Sequence, residues 1–168
     1  LSGVCVVDII EQAWGHLKEV KDPELPALNI VELGIVRKIE TSDAKLLVTI
    51  TPTYSGCPAM QVIEGEIVKI LKEKGFDDTE VLIAYAPPWT SDWLTEEAKE
   101  KLKTSGIAPP GKACGKSIAL FPIRVEALPC PFCDSKNTTL RSEFGSTACK
   151  SLYFCNSCSQ PFDSFKAM

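Results

Sequence analysis

The sequence predicts an α+β protein in two parts. A small α-β-β-α-β-α sandwich spans residues 1–108, and a short four-cysteine ribbon spans 127–168, with a linker or extended segment over 109–126. Three observations carry this reading. Apolar residues recur at helical spacing in separate stretches, strictly alternating segments lie between them, and five of the eight cysteines crowd between residues 130 and 158.

The elements follow in order. Val6, Ile9, Ile10, Ala13, Leu17 and Val20 share one helical face, with Asp8, Glu11, Gln12, Lys18 and Glu19 between them. This predicts a first helix of about four turns. Asp22-Pro23-Glu24-Leu25-Pro26 ends it, because neither proline continues a helical ladder. His16, the only histidine, is expected at the surface or half-buried. Asn29 to Gly34 reads as a turn or short helical piece, Ile35 to Glu40 as a strand, and Thr41 to Ala44 as a hairpin-like connection. In Lys45 to Thr51, Leu46, Val48 and Ile50 share one face of a strand. Ala59, Val62, Ile63, Ile67, Ile70 and Leu71 line a second helix that Gly75 ends. Thr79 to Ala86 is a third strand, with Val81, Ile83 and Tyr85 alternating against Leu82 and Ala84, closed by Pro87-Pro88-Trp89. Ser91 or Thr95 caps a last helix that stops at Gly106. Residues 107–117 have linker composition, and Ile118 to Leu128 is apolar and extended, broken by Pro122.

Composition bounds the function. The apolar and charged fractions are those of a soluble globular protein. A net charge of −4 gives no bulk attraction for nucleic acid or an anionic membrane. No apolar run approaches the length of a membrane span. No basic segment with a long apolar core opens the sequence, so no secretory signal is expected; the missing initiator methionine suggests a trimmed start. Clustered rather than dispersed cysteines favour a metal site in a reducing compartment, and a cytoplasmic location is expected.

The sharpest chemical motif is Cys130-Pro131-Phe132-Cys133 followed by Cys155-Asn156-Ser157-Cys158. Each pair forms a knuckle presenting two thiolates, and four thiolates at ~2.3 Å satisfy tetrahedral Zn²⁺. Such a set is closed, so the metal is expected to be structural, with rubredoxin-like iron as the competitor for the same ligands. Asp134 and Ser159 stand where a glycine would suit each knuckle. Cys149 is surplus to four ligands and is expected to pack inside the ribbon. Gly111-Lys112-Ala113-Cys114-Gly115-Lys116-Ser117 is not a phosphate-binding loop, since Pro110 occupies the position of the leading glycine.

A second constellation centres on Thr51-Pro52-Thr53-Tyr54-Ser55-Gly56-Cys57-Pro58, a strand-to-helix turn. Gly56 permits the turn and Pro58 suits a helix start, which sets Cys57 at or next to the N-cap. The helix amides there are expected to lower the thiol pKa, against the alternative of a buried cysteine acting as a small hydrophobe. Asp22 and Glu24, also at an element end, are paired with this turn: a carboxylate near the thiolate would raise its pKa or share a metal ion with it, the alternative being plain turn formers in water. A cysteine hydrolase lacks a credible general base, because His16 is the sole candidate.

These residues support a resemblance. Asp22-Pro23-Glu24-Leu25, Asn29 to Val36, Thr51-Pro52-Thr53 with Gly56-Cys57-Pro58, and Pro87-Pro88-Trp89 before Thr95-Glu96-Glu97-Ala98 resemble the iron–sulfur-assembly domain of SufT-type proteins over about residues 6–108. With the tail Phe144 to Tyr153 and Pro161 to Lys166, the chain is similar to the PaaD family, the D components of bacterial phenylacetyl-CoA epoxidase systems. The resemblance implies an accessory, non-catalytic maturation factor of aerobic phenylacetate degradation. It implies Cys57 as a transient ligand for iron or an iron–sulfur cluster, with Asp22 and Glu24 beside it. The four ribbon cysteines would hold zinc and shape a docking surface. Implied partners are the oxygenase or reductase component of the epoxidase and other iron–sulfur assembly proteins, with neither nucleic acid nor membrane among them. The chain lacks the Glu-x-x-His pairs of a di-iron bundle, and one histidine cannot supply them. The competing readings are a nucleic-acid- or protein-binding zinc-ribbon adaptor without metal delivery, and a thiol enzyme using Cys57.

Overall fold

In the computed structural model, which describes residues 6–43, 45–111 and 128–167, the chain divides into two compact units. The first comprises residues up to Trp89 together with Trp93–Thr95, and the second comprises Thr90–Asp92 with the chain from Glu96 onward.

The first unit opens with α1 (Val6–Leu17), whose Ala13 and Leu17 are buried. Tight turns carry the chain on to Val20, so the expected helix is shorter by its last few residues. The Asp22–Pro26 break and a turn over Asn29–Gly34 lead into β1 (Val36–Ser42). That turn is a reciprocal cap. Asn29 Oδ1 accepts the Glu32 N–H at 2.8 Å and the Val31 N–H at 3.0 Å, while Glu32 Oε2 accepts the Asn29 N–H at 3.1 Å. Next come β2 (Lys45–Ile50), α2 (Ala59–Glu73) and β3 (Thr79–Ile83). β2 is central, antiparallel to β1 and parallel to β3.

Leu46, Val48 and Ile50 are buried as the alternation predicts, and Ala59, Met60, Ile63, Ile67 and Leu71 of α2 are buried too. α2 ends in a Schellman motif. Gly75 takes φ +94°, its N–H reaches the Lys72 carbonyl, and the Phe76 N–H reaches that of Leu71. β3 departs from expectation: no residue in it is fully buried, and Leu82 and Ile83 are each 40% exposed. Its alternation is real in sequence, but nothing among the described residues covers Leu82 and Ile83 as Val36 and Ile39 are covered on the other edge strand, β1.

The second unit contains α3 (Glu96–Thr104), β4 (Ile107–Ala108), β5 (Thr138–Ser142), β6 (Lys150–Cys155) and β7 (Pro161–Phe165). The sheet order is β4-β7-β6-β5. Sequence reasoning places the last helix with the first domain and ends that domain at 108; here α3 and β4 group with the ribbon. The reason is backbone pairing, since Ile107 and Ala108 form a parallel ladder with Asp163 and Ser164. Ala108, Cys130, Tyr153, Cys155 and Phe162 make the ribbon core, with Tyr153 stacked on Phe162 at 5.7 Å. The expected linker and the extended stretch fall mostly on residues 112–127, outside the described residues, as do Cys5 and Cys114. Among the described residues no helix is long and apolar enough to cross a membrane.

Candidate functional site

The candidate groups are the four ribbon sulfurs in one unit and the single Cys57 sulfur in the other. In the ribbon, Cys130 and Cys133 precede β5, while Cys155 ends β6 and Cys158 follows it. The two knuckles are built alike. Cys130 N–H donates to the Ser135 carbonyl at 3.0 Å and Cys155 N–H to the Gln160 carbonyl at 2.9 Å. Asp134 N–H and Ser159 N–H return to the Cys130 and Cys155 carbonyls, both at 2.9 Å. Asp134 and Ser159 accordingly take φ of 57° and 58°, the left-handed geometry a glycine would adopt more cheaply. Two side chains short enough to tolerate it stand there instead.

All four Sγ atoms lie within 4.8 Å of one another, with Cys130–Cys158 at 3.7 Å and Cys133–Cys155 at 3.6 Å. Zinc bound to four thiolates at ~2.3 Å requires sulfur–sulfur edges of roughly 3.8 Å, so the donor set fits the ion. Backbone amides prepare the thiolates. The N–H groups of Cys158 and Ser157 point at the Cys155 sulfur and, against its burial, bring that thiol down to about 6. Burial pushes Cys158 the other way, to about 12, so the neighbouring thiols favour unlike protonation states until a metal takes the place of the protons. Cys149 is buried outside this set, with its sulfur 3.0 Å from the Thr147 hydroxyl. Packing, the expected fate, is where the structure leaves it.

In the first unit the loop after β2 turns through Gly56, at φ +83° with open space around it, and delivers Cys57 just before Pro58, the N-cap of α2. Cys57 is half-buried. The Ala59 N–H at the helix start does reach its sulfur, as the sequence reading requires. The expected lowering of the thiol pKa is nevertheless reversed. Burial raises it most, the Ala59 amide lowers it, the Glu24 carboxylate raises it further, and the Tyr54 and Thr53 hydroxyls lower it. A helix amide stabilises the thiolate here, but desolvation and a neighbouring negative charge outweigh it.

Asp22 and Glu24 separate in role. Asp22 is buried, and its Oδ1 accepts the N–H groups of Glu24 and Leu25, both at 2.8 Å. It shapes the turn that carries Glu24, and Glu24 is the carboxylate whose charge Cys57 feels. Thr53 and Tyr54 lie in the stretch that the sequence singles out, but nothing in it assigns their hydroxyls to the sulfur. Residues Thr51 to Ser55 of the same loop line a hollow with Tyr85, Pro88 and Trp89. Trp89 is fixed there by its indole N–H, which donates to the Leu33 carbonyl at 2.9 Å.

These placements set a pH dependence. Alkylation of Cys57 is expected to reach half its maximal rate at a higher pH than an ordinary thiol. Glu24→Gln, which removes a repelling charge, shifts that midpoint down, and Tyr54→Phe, which removes a donor, shifts it up. Peptide-resolved mass spectrometry of alkylation across neutral to alkaline pH measures both shifts, and opposite signs would refute the assignment.

The PaaD zinc β-ribbon domain matches residues 124–166, and the iron–sulfur cluster assembly protein family matches residues 10–83. A protein of Escherichia coli (strain K12), assigned provisionally as the D component of the 1,2-phenylacetyl-CoA epoxidase, is 44% identical over 160 residues, covering 95% of this chain and 93% of that one. The chain belongs to the PaaD family. Within it, the first unit is also related to stand-alone proteins. The Fe-S protein maturation auxiliary factor YitW of Bacillus subtilis (strain 168) is 40% identical over 91 residues, covering 53% of this chain and 88% of that protein. The crystal structure of a DUF59 domain from Bacillus anthracis superposes with a TM-score of 0.52 at 29% identity, covering 55% of this chain and 90% of that one. PaaD-family architecture in this chain is thus an iron–sulfur-assembly-type domain carrying a zinc ribbon, as the sequence predicts.

Proposed function

We propose that this chain is an accessory maturation factor that delivers iron or an iron–sulfur cluster to the phenylacetyl-CoA epoxidase system in the cytoplasm, with Cys57 as the transient ligand. One observation carries the reading. The Cys57 sulfur sits half-buried on a strand-to-helix turn, beside the Glu24 carboxylate and within reach of the Ala59 N–H and two hydroxyls. Relatives built on the same domain include proteins named as Fe-S maturation auxiliary factors.

The raised thiol pKa suits release as well as capture. At neutral pH the resting group is the protonated thiol, a poor nucleophile that resists oxidation. An incoming metal must displace that proton, and the thiolate it leaves is stabilised by the metal's charge and by the Ala59, Tyr54 and Thr53 donors. Once the cargo departs, reprotonation is favourable again, so the ligand does not hold on. Glu24, whose charge acts on the Cys57 sulfur, is the carboxylate that would share the metal, and Asp22 holds the turn that presents it. The zinc ribbon supplies a folded second module for docking to the oxygenase or reductase component.

Cys57→Ser is the test. The variant is expected to fold, to keep its ribbon zinc, and to leave the epoxidase inactive in cells, so that growth on phenylacetate falls to background. Elemental analysis and absorption spectra of anaerobically purified protein report the cargo separately: sub-stoichiometric iron in the wild type, absent from the variant. Wild-type growth of the Cys57→Ser strain would remove the thiol from the mechanism.

A further inference from the structure

The two knuckles are joined on their outer side by a network that the metal set alone does not require. Ser135 and Ser157 hydroxyls lie 2.7 Å apart, and Ser135 Oγ also accepts the Asn137 N–H at 3.1 Å. Asn156 donates its side-chain amide to Asn137 Oδ1 at 3.1 Å and to Thr139 Oγ1 at 2.9 Å, and its backbone N–H to the Asn137 carbonyl at 2.9 Å. Both residues between the second pair of cysteines are therefore tied to the chain that follows the first pair.

The four sulfurs are unequal in exposure. Cys130 and Cys155 are buried in the ribbon core, whereas Cys133 is exposed and Cys158 half-buried. Cys155 is further anchored as the last residue of β6, paired with Thr138 of β5. A bound ion thus has one side walled by core and strand and one side made of Cys133 and Cys158. Ser135 lies two residues past Cys133, and Ser157 immediately precedes Cys158. Moving apart the loops that carry the two accessible sulfurs breaks this contact.

We propose that metal enters and leaves the ribbon at the Cys133–Cys158 side, and that the Ser135–Ser157 contact with the Asn156 amide is the latch that holds that side shut. These are positioning residues, acting on the ion through the loops that carry its ligands. The proposal rests on the reading of the four sulfurs as a zinc site. The latch governs the rate of exchange rather than whether the ribbon folds, because every bond in it lies on the exposed face, outside the core of Ala108, Tyr153 and Phe162.

The experiment uses the full chain loaded with zinc and follows transfer to an excess of a chromogenic chelator by stopped flow. The zinc content of the starting protein is measured first, and a chain without zinc would defeat the four-sulfur site itself, independently of the latch. Ser157→Ala and Asn156→Ala are expected to release zinc about 3- to 10-fold faster, the size set by one or two solvent-facing hydrogen bonds. Ser157→Thr, which keeps the hydroxyl, is expected to match the wild type. So is Ser146→Ala, which removes a 2.8 Å bond to Asp163 elsewhere in the ribbon. Hydrogen exchange of the β6 and β7 amides is expected to stay unchanged in all four, which a merely structural role would not allow. Release at the wild-type rate from both Ser157→Ala and Asn156→Ala overturns the proposal, and so does an acceleration that accompanies lost β6–β7 protection.

Discussion

Cys155→Ser is expected to empty the zinc site and unfold the ribbon. The core around it explains why the effect is large. The cluster around it holds only Ala108, Tyr153 and Phe162 beside the sulfur-bearing Cys130 and Cys155, with Leu128 and the half-buried Cys158 packed against it, and Phe165 and Cys149 are the other buried apolar residues of β7 and the loop before β6. So few apolar side chains, at ~25 cal/mol per Å² of buried area, cannot offset the ordering entropy of the whole ribbon. Structural zinc contributes about 10–16 kcal/mol in modules of this kind, comparable to the entire stability of a typical domain. Cys155 is fully buried, ends β6, and has its thiol lowered by the Cys158 and Ser157 amides, so serine there removes a ligand prepared by the backbone. Elemental analysis should show zinc falling from about one equivalent to near zero. The β6 and β7 amides should exchange as in an unfolded chain, while the β1–β2 ladder of the first unit stays protected. Cys149→Ser provides the contrast: its sulfur lies outside the four, and zinc is expected to remain at wild-type content. Native protection of β6 and β7 in zinc-free Cys155→Ser protein would contradict this account.

The contrast between the two cysteine sites also shows what the sequence could and could not disclose. Paired Cys-x-x-Cys units are local signals, because the short spacing itself builds the knuckle, and the structure brings Cys130, Cys133, Cys155 and Cys158 together as that spacing requires. Leu46 to Ile50 was equally legible, and so was most of Ala59 to Leu71, where Val62 of the expected face is exposed and Met60 is buried in its stead. What escaped depended on distant partners. β4 is only two residues long and exists because β7 runs alongside it. β7 itself opens on Pro161, and with Asp163 and Ser164 adjacent between Phe162 and Phe165 it carries no apolar–polar alternation to announce it. At Cys57 the position before the helix was readable, but the sign of the pKa shift was not. It depends on how deeply the turn is buried and on a carboxylate 33 residues earlier in the chain, and neither leaves a trace in the local motif.

Gly34→Ala is expected to cost the first unit about 2–5 kcal/mol, from two causes that add. Gly34 takes φ +68°, where a Cβ costs roughly 1–2 kcal/mol. There is also no room for that atom. It would stand 2.8 Å from Trp93 Cβ and 2.9 Å from the Trp93 carbonyl oxygen, and crowding of this kind costs about 1–3 kcal/mol. Trp93 is not easily displaced, because the Arg37 guanidinium lies 3.5 Å from its ring centroid and the Thr95 N–H bonds the Glu32 carbonyl. The preceding residue, Leu33, offers the carbonyl that fixes Trp89. A shift at Gly34 therefore propagates to the hollow beside the Cys57 turn, and alkylation of Cys57 should change together with stability. Gly56→Ala separates the two causes. Its φ of +83° is equally unfavourable for alanine, but nothing lies within 4 Å of the added atom, so only the conformational part, about 1–2 kcal/mol, is expected. Denaturant titration of both variants, read by hydrogen exchange in β1 and β2, measures the difference. Equal losses would mean that Trp93 yields freely, and that the packing around Leu33 does not hold the Cys57 turn in place.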